Sequence, residues 1–340
     1  SSMISDHHTE SVFIKFGTGK LLTDLFLYIG NRKVVFVGDP AQLPPINTLF
    51  PPSLTPSYLK NTHQKNISRT TLKEVMRHRD NSGISYNAGQ LRKLIEDNQK
   101  VHLKIKASGF NDIRLHFTAD SQVTEYVRVI KEYGLEDTIF VCFSNALANK
   151  VNEKVRSLLF PNKKGLQKNE LLMVVKNNYK FDITNGEQII LDWVNEQAEH
   201  RASLTFRDFT GHVKDVNGYI TVTGKLLEDV LYSQNPSLSN EQEWALYKDF
   251  MNRIHRKGVR LNTQDFLMEL ITDPWLNAIR ARFGYAVTCH KAQGGEWERA
   301  FVVFEPSLFL QDKVYQHRWA YTAISRGMKE LHLQDNRCIE

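Results

Sequence analysis

The feature that most constrains the fold of this chain is a repeated pattern of short apolar runs that end in polar turns. Residues 32–37, 137–143 and 299–304 each form such a run. Runs of this length are typical of strands buried on both faces. Strands that alternate with helices favour parallel α/β sheets covered on both sides. Apolar residues at helical spacing predict helices over 20–29, closed by Gly30, over 146–159, and from 321 to 328.

The middle of the chain has a different sequence pattern, in which strand-like apolar runs are separated by turns. Asn185-Gly186 and Asn217-Gly218 lie between apolar runs, and Asn-Gly in that position is a strong hairpin signal. These features predict a small β-barrel inserted in an α/β domain. The predicted strands are 171–176, 188–193, 202–206 and 219–223.

From 226 to 282 the pattern is helical again, with many charges and interleaved aromatic residues. Two interpretations are open: the aromatic side chains pack in a core, or they form a platform on which nucleic-acid bases stack. Core packing is the preferred prediction. The aromatic residues are Trp244, Tyr247, Phe250, Phe266 and Trp275.

Composition narrows the class of protein. With 340 residues the chain has room for about two domains. Its apolar runs are far too short to span a membrane, and the N-terminus lacks the pattern of a secretory signal, so a cytoplasmic protein without a membrane partner is expected. The cysteines, Cys142, Cys289 and Cys338, are widely spaced, which argues for reduced thiols and against a cysteine-based metal site. The formal charge of +6 permits a nucleic-acid partner without requiring one.

Residues 38–45, GDPAQLPP, follow the first predicted strand directly. Ligands of α/β sheets bind where strands end, although Gly-Asp-Pro is also good turn chemistry by itself. The octapeptide resembles motif III of superfamily 1 helicases. The resemblance implies that Gln42 senses the γ-phosphate of ATP and positions the attacking water. It also implies that Gly38 and Asp39 face the nucleotide and that Pro44 leads toward single-stranded nucleic acid.

Residues 285–297, YAVTCHKAQGGEW, resemble motif V of the same superfamily, in the variant of RecD-like and Dda-like helicases. Thr288 and His290 fall near a predicted helix start, where free backbone N–H groups favour an anion. The resemblance implies that both contact a nucleic-acid phosphate and that Gly294 and Glu296 face the nucleotide. Without it, His290 and its neighbouring lysine would be a solvated polar pair.

Residues 319–326, WAYTAISR, resemble motif VI, whose arginine reaches across a cleft to the γ-phosphate. The resemblance assigns that function to Arg326 and a nucleic-acid contact to Tyr321. A guanidinium suits phosphate because it stays charged and forks around two oxygens. Gly327 and Met328 depart from the small-then-basic pair usual after this arginine.

Two shorter matches complete the set. Residues 72–78, LKEVMRH, resemble the segment that supplies a second phosphate-binding arginine, here Arg77, which could instead form a surface salt bridge. Residues 143–149, FSNALAN, resemble a turn that holds the nucleic-acid backbone through Asn145, which could instead be a helix N-cap.

A phosphate loop of the form G-x-x-x-x-G-K-[ST] is not found. Gly17-Thr18-Gly19-Lys20-Leu21 fails at its hydroxyl position, and an early Asp-Glu pair for magnesium is also missing. Because the helicase family places that pair just before a segment similar to residues 1–4, the chain is expected to begin just after it. ATP and Mg²⁺ are then expected as cofactors of the intact parent, with neither bound tightly by this chain.

The chain therefore resembles the C-terminal portion of a superfamily 1 DNA helicase similar to the exodeoxyribonuclease V α-subunit. The resemblance implies movement from 5′ to 3′ on single-stranded DNA with ATP, and nuclease or repair subunits as further candidate partners. The alternatives are a viral-type RNA helicase and a catalytically inactive nucleic-acid-binding module. The expected fold is α/β with RecA-like P-loop NTPase sheets. Its predicted parts are the remainder of the first motor domain at 1–100, the second motor domain at 101–165 and 280–340, an SH3-like β-barrel at 166–225, and a helical insertion at 226–279.

Overall fold

The computed structural model describes residues 2–8, 17–72, 81–215, 218–233, 235 and 237–340. The helices of this part are α1 (Leu21–Ile29), α2 (Pro56–His63), α3 (Gly83–Glu96), α4 (Ala119–Tyr133), α5 (Asn145–Leu159), α6 (Glu228–Tyr232), α7 (Asn240–Arg256), α8 (Gln264–Thr272), α9 (Cys289–Ala292) and α10 (Lys313–Ile324). The strands are β1 (Ile113–His116), β2 (Thr138–Cys142), β3 (Leu171–Val174), β4 (Gln188–Val194), β5 (Glu199–Arg201), β6 (Leu204–Asp215), β7 (Gly218–Leu227), β8 (Ala281–Phe283), β9 (Ala286–Thr288), β10 (Trp297–Val302) and β11 (Gly327–Gln334).

The chain divides into two compact units. Unit 1 comprises 1–122, 136–143 and 288–340, and unit 2 comprises 123–135 and 144–287. Both units are therefore assembled from segments that are distant in sequence.

Unit 1 contains a parallel sheet. Its strands lie in the order β1, β11, β10, β2, and each neighbouring pair is parallel. All of β2 is buried, as are the last four residues of β10. A strand buried along its whole length is one that is covered on both faces, so the predicted α/β class is confirmed.

Unit 2 contains an antiparallel sheet, in the order β5, β6, β4, β3, β8, with β7 paired to β6. The β6–β7 hairpin closes with Asp215 opposite Gly218, where Asn217-Gly218 predicts a turn. Gly186, before β4, has a φ of 102°, a backbone conformation that glycine adopts without strain. The sheet is consistent with the predicted inserted barrel.

The helical segment that follows packs largely through its aromatic residues. Phe250 and Phe266 are buried with Ile254 in one cluster, and Tyr247 packs against it. Trp275 packs against a second cluster that includes Phe206. Core packing is thus confirmed for these four aromatic residues, whereas Trp244 is half exposed.

Two local predictions are wrong. Residues 32–37 are not a buried strand, because the strand ladders of the described part do not include them and Val35 and Val37 are 84% and 72% exposed. The predicted helix from Tyr321 to Met328 is instead the last turn of α10 followed by β11. An apolar run predicts a strand in the first case and helical spacing predicts a helix in the second, but strand pairing decides both. A further prediction, that helix α1 ends at Gly30, is confirmed.

Among the described residues, every helix is too short or too polar to cross a bilayer.

Candidate functional site

The turn at residues 38–45 is fixed by the side chain of Asp39. Its Oδ1 accepts a hydrogen bond from the backbone N–H of Ala41 at 3.0 Å, and the backbone N–H of Gln42 donates to the Asp39 carbonyl at 3.2 Å. An aspartate that bonds the backbone two residues ahead is a common way to close a turn. Gly38 precedes it and is exposed.

The same carboxylate links the turn to two helices of unit 1. Tyr321, on α10, donates its hydroxyl to Oδ2 at 2.5 Å. Arg92, on α3, approaches Oδ1 with Nη2 at 3.1 Å and donates from Nη1 to the Tyr321 hydroxyl at 3.0 Å. Burial, together with the neighbouring Asp39 charge, raises the pKa of Tyr321, so its hydroxyl stays protonated and donating near neutral pH.

One face of α10 holds the backbone of the 38–45 segment. Arg318 donates to the carbonyls of Pro40 and Gln42, the latter at 3.2 Å. Thr322 accepts from the backbone N–H of Leu43 at 2.9 Å. With Tyr321, these residues have the i, i+3, i+4 spacing that places side chains on one helix face.

The Pro-, Ser- and Thr-rich composition of residues 43–56 predicts a long surface loop. Leu43 and the two prolines after it are buried, so this prediction is wrong at the start of the segment. Its exposed part begins at Ile46. The physical reason is that α10 supplies hydrogen-bond partners for the backbone of 40–43, which lets this segment be buried without leaving polar groups unsatisfied.

Gln42 contacts the end of α9. Gln293 donates to the Gln42 side-chain oxygen at 3.1 Å and to the Leu43 carbonyl at 3.1 Å. The side-chain oxygen of Gln293 is buried and accepts no hydrogen bond within the described part of the chain. Such an oxygen is suited to a donor such as a water molecule.

The predicted site residues of the 288–296 segment lie at both ends of the short helix α9 and within it. Thr288 ends β9 and precedes α9, as predicted, and is buried. Burial lowers the pKa of His290, while a hydrogen bond with the Pro44 carbonyl acts in the opposite direction. His290 is therefore a neutral hydrogen-bonding group at neutral pH. Gly294 has a φ of 98°, and both it and Glu296 are exposed.

Arg326 lies in the turn between α10 and β11 and is 2% exposed. Its Nε donates to the Thr322 carbonyl at 2.9 Å, Nη1 donates to the Gly295 carbonyl at 2.7 Å, and Nη2 donates to the Ser325 hydroxyl at 3.0 Å. These partners are all neutral. The guanidinium thus anchors the 294–297 turn from within unit 1, where the motif resemblance implies a side chain that reaches across a cleft.

Unit 1 accordingly brings together predicted residues of three segments. Asn145 is exposed on the first turn of α5 in unit 2. The helix N-cap there is Ser144, which accepts from the backbone N–H of Leu147 at 3.1 Å, so the alternative interpretation of Asn145 as the cap is wrong. Arg77 falls outside the described residues.

Sequence reasoning missed Arg92, Arg318 and Gln293. Arg318 had a signal, because it shares a helix face with Tyr321 and Thr322. Gln293 lies inside the motif-like run at 285–297. Arg92 had none: an isolated arginine on a helix far along the chain from Asp39 cannot be assigned to it before the fold is known.

A known protein family matches the C-terminal part of the chain. Residues 283–334 match the UvrD-like helicase C-terminal domain. No curated protein matches this sequence.

Two solved structures similar to the chain are Pif1 helicases. That from Bacteroides, in complex with ADP-AlF3 and single-stranded DNA, has 13% identity and a TM-score of 0.41, covering 88% of this chain and 61% of its own. That from Candida albicans has 15% identity and a TM-score of 0.39, covering 88% of this chain and 63% of its own. The chain therefore spans less than two thirds of the length of either.

Proposed function

We propose that this chain is part of a superfamily 1 helicase motor and that unit 1 carries residues which face the nucleotide. The observation that carries the proposal is the double contact of α10. Its Arg318, Tyr321 and Thr322 hold the 38–45 turn, and Arg326, just beyond its end, holds the 294–297 turn. Three segments that resemble separate helicase motifs are thereby joined by hydrogen bonds, and the family match at 283–334 includes two of them.

ATP is the cofactor that this proposal implies, and the donor set of unit 1 fits its phosphates. Arg318 and Arg326 donate to carbonyl and hydroxyl oxygens, and a guanidinium forms stronger hydrogen bonds with the anionic oxygens of a phosphate. The described residues bring together no cluster of three or more His, Cys, Asp or Glu side chains for a metal ion. The groups that suit the phosphates are the Arg326 guanidinium and the Gln42 amide, whereas the Glu296 carboxylate would repel them. When bound, ATP supplies a terminal phosphoryl group for transfer to water.

The residues of unit 1 then have separate tasks. The Gln42 amide, oriented by Gln293, positions a water molecule by hydrogen bonding. The Arg326 guanidinium stabilises negative charge that develops on phosphate oxygens. The contacts of Asp39 with Tyr321 and Arg92 fix the turn that carries Gln42, so that the amide keeps its place without reorganisation.

The same segments lead toward single-stranded DNA in this proposal. The Pro44 carbonyl lies close enough to His290 to act on the pKa of that histidine, so the 38–45 turn neighbours the residue that would contact a DNA phosphate. Burial lowers the pKa of His290, so the neutral imidazole is the form that would meet a DNA phosphate. Thr288 and Asn145 would add further backbone contacts. Movement from 5′ to 3′ and the RecD-like subtype are parts of the proposal that rest on the motif resemblance.

The experiment that tests the proposal is a comparison of Arg326→Ala and Arg326→Lys in the full-length protein that contains this chain. Steady-state ATP hydrolysis is measured with saturating single-stranded DNA, and again with RNA to separate the two kinds of helicase. Loss of an arginine that stabilises the transition state lowers the turnover rate by about 10³-fold or more, with a much smaller effect on nucleotide affinity. Lysine restores little, because an ammonium group cannot fork around two oxygens.

Arg114→Ala is the matched control, since Arg114 is an exposed arginine in the same unit, on β1. It is expected to leave turnover unchanged. Thermal unfolding of each variant separates a folding defect from a catalytic one, because Arg326 also anchors the 294–297 turn. Near-normal turnover in a folded Arg326→Ala variant would remove the assignment of this arginine to the nucleotide site.

A further inference from the structure

Unit 2 contains a cavity of about 530 Å³ that the proposed function does not use. Its walls are the second half of α5, the loop after that helix, the residues that end α6, and β8. This volume lies within the range of natural small-molecule sites, roughly 300–1,000 Å³. Size alone does not define a ligand. The charges of the lining residues indicate which ligand the cavity can bind.

Arg282 is the central charge of the lining and is 8% exposed. It lies on β8 between Ala281 and Phe283, which pack on the hydrophobic core of unit 2, so strand alternation turns Arg282 to the opposite face. Its Nη2 donates to the Ser233 carbonyl, and no carboxylate in the described part of the chain forms an ion pair with it. Burial lowers the pKa of Arg282. A buried cation without a counter-charge is costly, and an anion in the cavity would remove that cost.

Taken together, the other charged residues of the lining also leave an excess of positive charge. Arg156 is neutralised by the buried Glu170, whose carboxylate accepts from Nη2 at 2.9 Å. Lys163 and Lys164 are exposed at the rim, and neither forms an ion pair with any described residue. Among the lining residues, the acidic side chain is that of Glu153. The cavity therefore holds more positive charge than its own carboxylates balance.

The remaining walls suit an organic group attached to the anion. Tyr232 and Phe283 lie edge to face with ring centroids 5.7 Å apart, and the Arg156 guanidinium lies over the Phe283 ring at 4.9 Å. Tyr232 is 51% exposed, which leaves part of its ring open to a second ring. The Asn152 amide is occupied by the Ala286 backbone, whereas the Asn149 amide has no hydrogen bond within the described residues.

We propose that this cavity binds a phosphate monoester of nucleotide size, with Arg282 as the ligand of the phosphate and with Tyr232 and Asn149 beside the organic group. Two sources carry this chemistry: a free nucleoside monophosphate and the 5′-phosphorylated end of a nucleic-acid strand. The assignment does not depend on whether the chain belongs to a helicase.

The test is isothermal titration calorimetry of the chain with inorganic phosphate, adenosine 5′-monophosphate and adenosine. Saturable binding is expected for the first two, tighter for the monophosphate, and none for adenosine. Arg282→Met should weaken binding of the monophosphate by at least about tenfold, because a charge-assisted hydrogen bond is lost. A short thymidine strand with and without a 5′-phosphate distinguishes the sources: a strand that binds only when phosphorylated identifies a strand end as a second ligand.

Arg282→Met is expected to fold, since it removes an uncompensated buried charge while keeping the apolar stem; its thermal midpoint without ligand should equal or exceed that of the wild type. Lys163→Glu with Lys164→Glu is the second variant, and as both side chains are exposed it should weaken binding without affecting folding. Arg260→Met, at an exposed arginine of unit 2 that does not line the cavity, should leave affinity unchanged. Gln42→Ala should also leave it unchanged, which separates this cavity from the residues proposed to face ATP.

Equal affinity of the wild type and Arg282→Met for the monophosphate would overturn the proposal. So would the absence of saturable binding to every phosphorylated probe, or binding that Gln42→Ala abolishes and the cavity variants do not.

Discussion

The hydrogen bond between Tyr321 and Asp39 should be the contact that most firmly joins α10 to the 38–45 turn, and Tyr321→Phe tests it. The substitution removes the hydroxyl that donates to Oδ2 at 2.5 Å and accepts from Arg92 at 3.0 Å, and leaves the ring in place. A hydrogen bond to a charged group contributes about 1.5–3 kcal/mol. The Asp39 side chain is 21% exposed and retains Arg92, so water and that guanidinium offset part of the loss. We expect about 1–2 kcal/mol of local destabilisation.

The measurement is native-state amide hydrogen exchange followed by mass spectrometry on peptides that cover α10, because it reports opening of this helix separately from unfolding of unit 2. A loss of about 1–2 kcal/mol corresponds to roughly five- to thirtyfold faster exchange of amides that exchange by local opening. Asp39→Asn and the variant that carries both substitutions, Asp39→Asn and Tyr321→Phe, complete a double-mutant cycle. The coupling between the two positions should be about 1 kcal/mol, because both substitutions remove the same bond.

Tyr28→Phe is the control, since Tyr28 is 82% exposed on α1 of the same unit, and it should leave the exchange of α10 unchanged. The reasoning is refuted if the effects of Asp39→Asn and Tyr321→Phe add within about 0.5 kcal/mol, the scatter found for independent sites.

Three further substitutions test other contacts. Gly294→Ala should destabilise the 294–297 turn by about 1–2 kcal/mol, because its φ of 98° strains any other residue while open space around it admits the methyl group; faster hydrogen exchange of α9 would show this. Glu170→Gln should lower the free energy of unfolding by about 3 kcal/mol, since it leaves Arg156 without the carboxylate that neutralises it, and a urea titration that finds less than about 1 kcal/mol would contradict this. Burial holds the pKa of His290 below its ordinary value of 6.5, so the unfolded chain takes up a proton first and stability is lost as the pH falls below that value. His290→Gln should therefore lose less thermal stability than the wild type between pH 7 and pH 5, and identical pH profiles would show that this histidine is not buried as described.

The sequence by itself determined the class of fold and the place of several elements. Alternating apolar runs and helical segments predict the parallel sheet, because strands covered on both faces need apolar residues throughout, as β2 and β10 show. Asn217-Gly218 predicts the β6–β7 hairpin because its geometry needs residues that accept a positive φ. The three motif-like segments at 38–45, 285–297 and 319–326 could also be located, since each has its chemistry in adjacent residues.

Tertiary structure decided what those segments do to one another. The run at 32–37 has the composition of a buried strand and is exposed, because pairing depends on neighbouring strands that the run does not encode. Arg92 pairs with Asp39 and Arg326 turns inward to Gly295, because the packing of helices and turns sets which oxygen each guanidinium can reach. The uncompensated charge of Arg282 could not be seen at all from the sequence, since a counter-charge is defined by distance in space. Local composition therefore fixes which elements can form, and long-range packing fixes which charges meet.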